Sequence, residues 1–245
     1  MKNVRAADLE LVSKLYQSCE PQLSERELKS IQPYPDSLID SSSSPKSSSW
    51  FEKGLSAISL GKVCVVLLSG GQGTRLGSSL PKGMLDIGLP SHKSIFQRFA
   101  EYILKLELLA ADRCGHTGSI PLYILTSIST TQEVNKFFKD NNNFGLLSNN
   151  VIIIEQPSLP CVSLDTGEVL MVSAKDAATS PNGNGGLIDA LRENNTLSNM
   201  DERGIRYIHV VGVDNVLTRV ADPSFIGYVI SMNAPCGSES IGLTR

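Results

Sequence analysis

The chain has 245 residues, a formal net charge of −3 and 41% hydrophobic residues, which is enough for one large or two small domains with a buried core. Its mild acidity argues against a nucleic-acid-binding surface, because such a surface needs a basic excess. No apolar run reaches the length of a membrane-spanning helix, and the first residues lack the apolar stretch of a signal peptide. The five cysteines lack C-x-x-C spacing, so we expect reduced thiols. The three histidines lie far apart, so we expect no zinc site. Together these features predict a cytoplasmic protein without a membrane partner.

Residues 1–49 are predicted to form a helical segment followed by a linker. Apolar residues such as Leu11 and Leu15 recur at helical spacing among charged residues, which predicts a helix within Leu9–Leu28. The stretch Ser41–Ser49 reads SSSSPKSSS, a polar composition of low complexity that is typical of flexible linkers. A cluster of phosphoserines is the less favoured interpretation of the same stretch.

Residues 50–237 are predicted to form one α/β domain, with an atypical tail at 238–245. Four apolar runs predict strands, at Val63–Leu68, Leu122–Thr126, Val151–Glu155 and Tyr207–Val213. Helical patterns lie at Ser94–Leu109, Thr131–Lys139, Gly186–Ser198 and Pro223–Ser231. Asp222 and Pro223 are typical of the start of a helix, as N-cap and first helical residue. Near-continuous apolar strands that alternate with helices predict a parallel or mixed sheet covered on both faces, whose ligands bind beyond the carboxyl ends of the strands.

A glycine-rich loop follows the first predicted strand and is typical of a phosphate site. Its glycines include Gly70, Gly71 and Gly73, and glycines let backbone N–H groups converge on phosphate oxygens. Beyond them, Arg75 offers a planar fork of donors and Lys82 a mobile point charge. The alternative, that the glycines only shape a turn, is much weaker once the two cations are included.

Two commoner glycine-rich loops do not match this segment. The dinucleotide fingerprint G-x-G-x-x-G fails because Leu76 stands where the third glycine belongs. The Walker A loop fails because Gly77 is followed by Ser78 and Ser79 and not by a lysine. The loop therefore indicates a nucleotide or sugar-phosphate site of a different class.

Polar residues after the later strands are further candidates for the same site. Gln156 follows the third strand, and its amide could read the donor and acceptor groups of a base such as uracil, although a solvated strand end is the simpler interpretation of Gln156 alone. Gly183 and Asn184 lie in the loop PNGNGG, which could equally be a plain turn or a helix cap. Asp214 follows the fourth strand and is either a Mg²⁺ ligand facing phosphates or a cap.

Three strings of sequence resemble the eukaryotic UDP-N-acetylglucosamine pyrophosphorylases. They are LSGGQGTRLGSSLPKGMLDIGLPSHKSIFQ at 68–97, PNGNGG at 181–186 and GVDNVLTRVADPSFIGY at 212–228. Their order and spacing match the family from about Trp50 to Tyr228. The resemblance implies a Rossmann-like nucleotidyltransferase fold, with a mixed, mostly parallel sheet flanked by helices.

The resemblance also implies an activity and a set of roles. The activity is that of a uridylyltransferase, which forms UDP-N-acetylglucosamine and pyrophosphate from UTP and N-acetylglucosamine 1-phosphate with Mg²⁺, or with Mn²⁺ in its place. The implied roles are nucleotide contact for Gly70, Gly71 and Gly73, phosphate binding and catalysis for Arg75 and Lys82, uracil contact for Gln156 and Gly183, sugar contact for Asn184, and metal or sugar-phosphate binding for Asp214. It implies no oligomeric state.

Family members are longer than this chain, and the tail after Gly237 departs from their pattern. We therefore expect a chain truncated in its C-terminal half, and a sheet shortened in this way would expose an unpaired edge. Two alternatives stay open. One is a related UDP-glucose or UDP-sugar pyrophosphorylase, and the other is a non-catalytic fragment that binds UTP.

Overall fold

The computed structural model describes residues 6–18, 29–32, 35–72, 77–78 and 80–240. Its helices are α1 (Ala6–Gln17), α2 (Ser47–Ser59), α3 (Ile95–Cys114), α4 (Thr131–Asp140), α5 (Leu187–Glu193), α6 (Thr196–Glu202) and α7 (Pro223–Met232). Its strands are β1 (Val63–Leu68), β2 (Leu122–Thr126), β3 (Val151–Glu155), β4 (Ser158–Pro160), β5 (Thr179–Pro181) and β6 (Tyr207–Gly212). None of the helices in these ranges has the length and apolar character needed to cross a bilayer.

The main sheet is parallel and has the strand order β3-β2-β1-β6. Leu68, the last residue of β1, pairs with Leu125 on one side and with Gly212 on the other. The carboxyl ends of the strands therefore meet at one edge. The chain first moves outward from β1 to β3 and then returns to the far side of β1, so the strand order reverses between β1 and β6. Antiparallel pairing of named strands is confined to β4 and β5. The predicted α/β fold is confirmed.

Helices cover both faces of this sheet, as the continuous apolar strands predict. Side chains of β1 alternate between the two layers, with Val65 and Leu67 on one face and Cys64 and Val66 on the other. The first layer is built by α2, α3, α4 and α7, with buried residues that include Leu55, Phe96, Phe99, Ile103, Phe138 and Ile226. The second layer is built by α5 and α6, through Leu187, Ala190, Leu191 and Met200.

The second layer covers the sheet less completely than the first. Ile208 and Val210 of β6 pair with Cys64 and Val66 and so share their face, yet each is 44% exposed. Under α6, in contrast, the second layer covers the sheet, and the Tyr123 hydroxyl donates to the Asn199 side-chain oxygen at 2.9 Å. Burial raises the pKa of Tyr123 to about 12. The apolar face of β6 is therefore the open part of the sheet in the described chain.

Helices α2 and α7 pack backbone to backbone in the first layer. A Cβ added to Gly54 would lie 2.0 Å from the carbonyl oxygen of Pro223, and one added to Gly227 would lie 1.7 Å from that of Trp50. Only glycine permits so close an approach. At the end of this helix contact, the Trp50 ring packs edge-on against the Tyr228 ring, with centroids 5.1 Å apart.

Capping residues fix the ends of two of the longer helices. The Ser94 hydroxyl accepts from the Gln97 N–H at the start of α3, and Gly115 ends that helix in a left-handed conformation with φ 75°. Helix α3 therefore runs five residues beyond its predicted end at Leu109. At the start of α7, a carboxylate oxygen of Asp222 accepts from the Ser224 N–H at 2.7 Å and Pro223 takes the first position, as predicted.

The single helix predicted at Gly186–Ser198 is wrong, because the structure divides it into α5 and α6. The break lies at Asn195, which has φ 53°. The preceding Asn194 turns its side-chain amide onto the carbonyl oxygens of Ala190 and Glu155, at 2.8 and 3.3 Å. Asparagine side chains compete with the helix for backbone groups and tolerate the left-handed region, which explains the break.

The N-terminal predictions are only partly covered by the described residues. Helix α1 ends at Gln17, and the rest of the predicted helix, from Cys19 to Leu28, lies outside the described residues. The predicted linker extends too far, since Ser47–Ser49 form the first turn of α2. Burial of Trp50 in the first turns of α2 accounts for this early start. The domain boundaries at 49–50 and 237–238 stay predictions.

His209 supports an otherwise unfavourable turn before α7. Its Nδ1 accepts from the Ala221 N–H at 2.8 Å, and Ala221 has φ 53°, a region that residues with a Cβ rarely adopt. Burial lowers the pKa of His209, and the nearby Asp222 partly opposes that shift. A protonated ring could not accept this hydrogen bond.

We therefore expect the free energy of unfolding to decrease as the pH falls, because His209 can accept this hydrogen bond only while its ring is neutral. Its contribution is complete above the unfolded pKa of about 6.5 and is lost as the pH falls toward the lower folded pKa, because there only the unfolded chain binds the proton. Urea unfolding between pH 7.5 and 5.5 measures this slope, which cannot exceed about 1.4 kcal/mol per pH unit for one proton. His209→Gln should flatten the slope, whereas His116→Gln, at an exposed site, should not. Equal slopes in all three chains would contradict the role of His209.

Candidate functional site

A cavity of about 360 Å³ opens at the carboxyl edge of the main sheet. Its walls come from the ends of β1, β2, β3, β5 and β6, and its lining residues are Leu68, Gly70, Gly71, Lys82, Leu125, Gln156, Ser180, Pro181, Gly183, Asn184, Gly212, Val213 and Asp214. The cavity includes the point between β1 and β6 where the strand order reverses. Ligands of open parallel sheets bind at such points.

Most of the predicted site residues meet in this cavity. They are Gly70, Gly71, Lys82, Gln156, Gly183, Asn184 and Asp214. Gly73 and Arg75 lie outside the described residues. Two other polar residues that follow strands, Ser127 and Asn215, do not line the cavity. Ser127 instead accepts backbone hydrogen bonds at the start of α4, and Asn215 belongs to a turn closed onto Gly212.

The two ends of the glycine-rich loop lie side by side. Gln72 forms an antiparallel bridge with Pro81, and the Lys82 N–H donates to the Gly71 carbonyl at 3.4 Å. Lys82 then begins a single 3₁₀ turn, in which Gly83 packs so tightly on Phe96 that an added Cβ would lie 2.3 Å from the ring. The backbone of Lys82 is thus fixed to both the loop and the core.

Gln156 lies directly over the loop. Its backbone N–H donates to the Thr126 carbonyl at 2.9 Å. Its side-chain nitrogen lies only 2.2 Å from the position that a Cβ on Gly70 would take. The side chain is 6% exposed, and its carbonyl oxygen is buried without a hydrogen-bond partner. Among the described residues, Ser69 has the other such buried atom, its hydroxyl oxygen. An unpaired buried acceptor costs about 1–3 kcal/mol, so the Gln156 carbonyl is suited to a donor on a ligand.

Lys82 and Asp214 form an ion pair in the cavity lining. The lysine Nζ lies 3.3 Å from a carboxylate oxygen, and the two side chains are 25% and 67% exposed. The other carboxylate oxygen turns back toward Gly212, where an added Cβ would lie 2.8 Å away. The ion pair therefore links the loop after β1 to the turn after β6.

The PNGNGG loop forms the opposite rim. The Asn182 N–H donates to the Pro157 carbonyl at 3.0 Å and ties the loop to the segment after β3. Gly183 follows with φ 69° and ψ −167°, a conformation that favours glycine. The exposed Asn184 then opens a 3₁₀ turn that leads into α5. This rim presents backbone groups and the side-chain amide of Asn184 to the cavity.

The donor set fits a magnesium ion that arrives with phosphates. In the described ranges, no three His, Cys, Asp or Glu side chains lie close enough to hold a metal between them. Of the lining residues that the structure describes, Asp214 alone offers the cavity a well-exposed carboxylate. Because Mg²⁺ commonly takes one or two carboxylates and completes its shell with water and substrate phosphates, a single aspartate is sufficient.

Several residues that line the cavity were not predicted from the sequence. Ser180 and Pro181 adjoin the PNGNGG loop, and that position could have indicated them. Gly212 could have been found as a glycine at a strand end, two residues before Asp214. Leu68, Leu125 and Val213 supply the apolar wall, and sequence alone cannot separate them from the core.

A second surface depression, of about 450 Å³, lies along α4. Its lining residues are Gln132, Asn135, Lys136, Lys139 and Asp140. All five come from one helix, so the depression is a space between its exposed side chains and not a convergence of separate elements. We assign it no site.

The chain is similar over most of its length to proteins from several eukaryotes. It is 44% identical over 214 residues to UDP-N-acetylhexosamine pyrophosphorylase-like protein 1 of Xenopus tropicalis, covering 86% of this chain and 42% of that protein. It is 43% identical over 219 residues to UDP-N-acetylglucosamine diphosphorylase 2 of Arabidopsis thaliana, covering 86% and 43%. The crystal structure of the Trypanosoma brucei uridine diphosphate N-acetylglucosamine pyrophosphorylase superposes with a TM-score of 0.81 at 31% identity, covering 93% of this chain and 46% of that one. The chain thus spans less than half the length of these relatives.

A family-level comparison agrees with these individual matches. The sequence profile described as UTP–glucose-1-phosphate uridylyltransferase matches residues 10–245. This range includes every strand of the sheet and every residue that lines the cavity. The chain therefore belongs to the UTP–glucose-1-phosphate uridylyltransferase family.

Proposed function

We propose that the chain carries the nucleotide-binding part of a uridylyltransferase that converts UTP and N-acetylglucosamine 1-phosphate into UDP-N-acetylglucosamine and pyrophosphate. One observation carries the proposal. A single cavity is lined by Gln156, whose side-chain carbonyl is buried and unpaired, and by the ion pair of Lys82 and Asp214. The names of the relatives support the choice of sugar.

In this proposal Gln156 reads the base. The imide N–H of uracil donates to its unpaired carbonyl, while its amide N–H donates to a uracil carbonyl. The absence of a side chain at Gly70 leaves room for the amide beside the loop. Gly183 adds backbone contacts, and the Asn184 amide hydrogen-bonds the sugar. Cytosine has no N–H at the imide position, so this pairing favours uracil.

The phosphates lie between the glycine-rich loop and Lys82. An oxygen of the sugar phosphate attacks the α-phosphorus of UTP, a new P–O bond forms, and the bond to the departing pyrophosphate breaks. Both reactants are anions, so positioning and charge neutralisation supply most of the rate and no covalent nucleophile is needed. Lys82 holds the transferring group, and we assign Arg75 the same task from the family resemblance.

Asp214 would hold Mg²⁺, or Mn²⁺, together with the phosphates. When bound, the ion neutralises phosphate charge and orients the reacting groups. We also propose a cytoplasmic location, because Cys64, Cys114, Cys161 and Cys236 are all unpaired.

A second candidate is a UTP-binding chain that does not complete the reaction. The match accounts for only 42% to 46% of the relatives' lengths, so UTP binding and turnover by this stretch are tested separately. A third candidate, a uridylyltransferase that uses glucose 1-phosphate, is separated from the first by direct comparison of the sugar phosphates.

Calorimetric titration of the folded chain tests the proposal. We expect UTP to bind at least about tenfold more tightly than CTP, because the wrong base leaves Gln156 unpaired. Gln156→Ala should abolish this preference. Pyrophosphate release with N-acetylglucosamine, N-acetylgalactosamine and glucose 1-phosphates then separates the catalytic candidate from the binding one. A folded chain that binds neither UTP nor UDP would refute the proposal.

A further inference from the structure

We infer that Lys82 and a divalent cation exclude each other at Asp214, so that the metal enters the cavity together with the nucleotide and not before it. The inference rests on the proposed function, which brings a triphosphate and a metal into this cavity. It concerns the chain before a ligand binds, in which the charge contact among the described residues of the cavity lining is the one between these two side chains.

Lys82 is well placed to act as a built-in counter-ion. Its Nζ lies 3.3 Å from the Asp214 carboxylate, and three quarters of its side chain is buried. The side chain runs beside Gly71, where an added Cβ would lie 3.7 Å from the lysine Cε. The ammonium group therefore lies at the carboxylate on a side chain whose backbone is held by the loop and the core.

Asp214, in contrast, is open to solvent and would otherwise be available to a cation. Its side chain is 67% exposed, and among the described residues no second carboxylate joins it in the cavity lining. A divalent ion on this carboxylate would lie within a few ångströms of the lysine ammonium. The two positive charges repel, and the ion would also have to replace an existing ion pair.

A triphosphate removes this obstacle. Its oxygens offer Lys82 another anion on the loop side of the cavity, and they offer the metal additional ligands. Lys82 then turns from Asp214 to the phosphates and the carboxylate is free for the metal. Because coupling between two ligands is reciprocal, the metal must tighten the nucleotide by the same factor.

The test is a titration of the chain with Mn²⁺ without nucleotide, read from paramagnetic broadening of the Gly212 and Asn215 amide signals in NMR spectra. We expect Lys82→Met to need about tenfold less Mn²⁺ than the unchanged chain for the same broadening. Lys136→Met is the matched control, because Lys136 forms an ion pair with Asp140 on the exposed face of α4. It should behave like the unchanged chain.

Adding Asp214→Asn to Lys82→Met should abolish the gain. Equal Mn²⁺ requirements in the unchanged chain and Lys82→Met would overturn the inference, as would a gain that survives Asp214→Asn. If Lys82→Met does not fold, by circular dichroism, Lys82→Gln replaces it. UTP binding measured with Mg²⁺ present separates the two proposals, since a chain that does not bind UTP under these conditions but shows the Mn²⁺ gain contradicts only the proposed function.

Discussion

Gly70→Ala is expected to weaken UTP binding by about a hundredfold and to leave the chain folded. The new Cβ would lie 2.2 Å from the side-chain nitrogen of Gln156, which is 6% exposed and has little room to retreat. The amide must therefore rotate or shift, and either change removes the donor and acceptor that we assign to uracil. Calorimetry measures the affinity, and thermal unfolding followed by circular dichroism measures the fold.

Gly185→Ala is the matched control for this loss. It places a methyl group in the other loop of the same site, where an added Cβ meets nothing within 4 Å. In a Gln156→Ala background, Gly70→Ala should cost little more, because the two changes act through one contact. If Gly70→Ala and Gly185→Ala bound UTP equally well, the close approach of Gly70 and Gln156 would have no part in recognition.

Gly227→Ala is expected to lower the free energy of unfolding by about 3 kcal/mol or more, a large share of the 5–15 kcal/mol typical of a domain. The added Cβ would lie 1.7 Å from the carbonyl oxygen of Trp50, and backbone atoms cannot move aside as a flexible side chain can. Helices α2 and α7 would have to separate. In an ordinary helix the same change stabilises by roughly 0.4–1 kcal/mol, so the expected effect has the opposite sign.

Urea unfolding measures this effect, with Ser231→Ala on the same helix as the control. Ser231 is half-buried and accepts a solvent-exposed hydrogen bond from Lys53, so its loss should change little. Gly54→Ala should resemble Gly227→Ala, because its Cβ would lie 2.0 Å from the Pro223 carbonyl oxygen. Stabilisation by either glycine replacement would show that the helices are not in backbone contact.

The sequence predicted the elements of the sheet better than their arrangement. The strands β1, β2 and β3 have the predicted bounds, because buried parallel strands are short apolar runs between polar residues. The position of β6 beside β1 depends on contacts between distant parts of the chain, which no local pattern contains. The division of α5 from α6 was missed because helical spacing continues through Asn195 while its backbone does not.

In the candidate site, too, the individual residues could be predicted better than their contacts. Gln156 and Asp214 could be selected because each polar residue follows an apolar strand, and the topology brings them to one edge. Their partners could not be predicted. The contact of Asp214 with Lys82 spans 132 residues of sequence, and that of Gln156 with Gly70 depends on the exact height at which β3 and β1 end. The chemical roles of all four residues stay predictions.

The pairing of β1 with β6 also determines when during folding the cavity can exist. The loop after β1 lies early in the sequence, whereas Asp214 reaches it only when β6 pairs with β1, and pairings between such distant residues are slow to form. A ligand that contacts both Lys82 and Asp214 therefore binds only chains in which this pairing is complete. It should slow unfolding by holding the first and last strands of the sheet together.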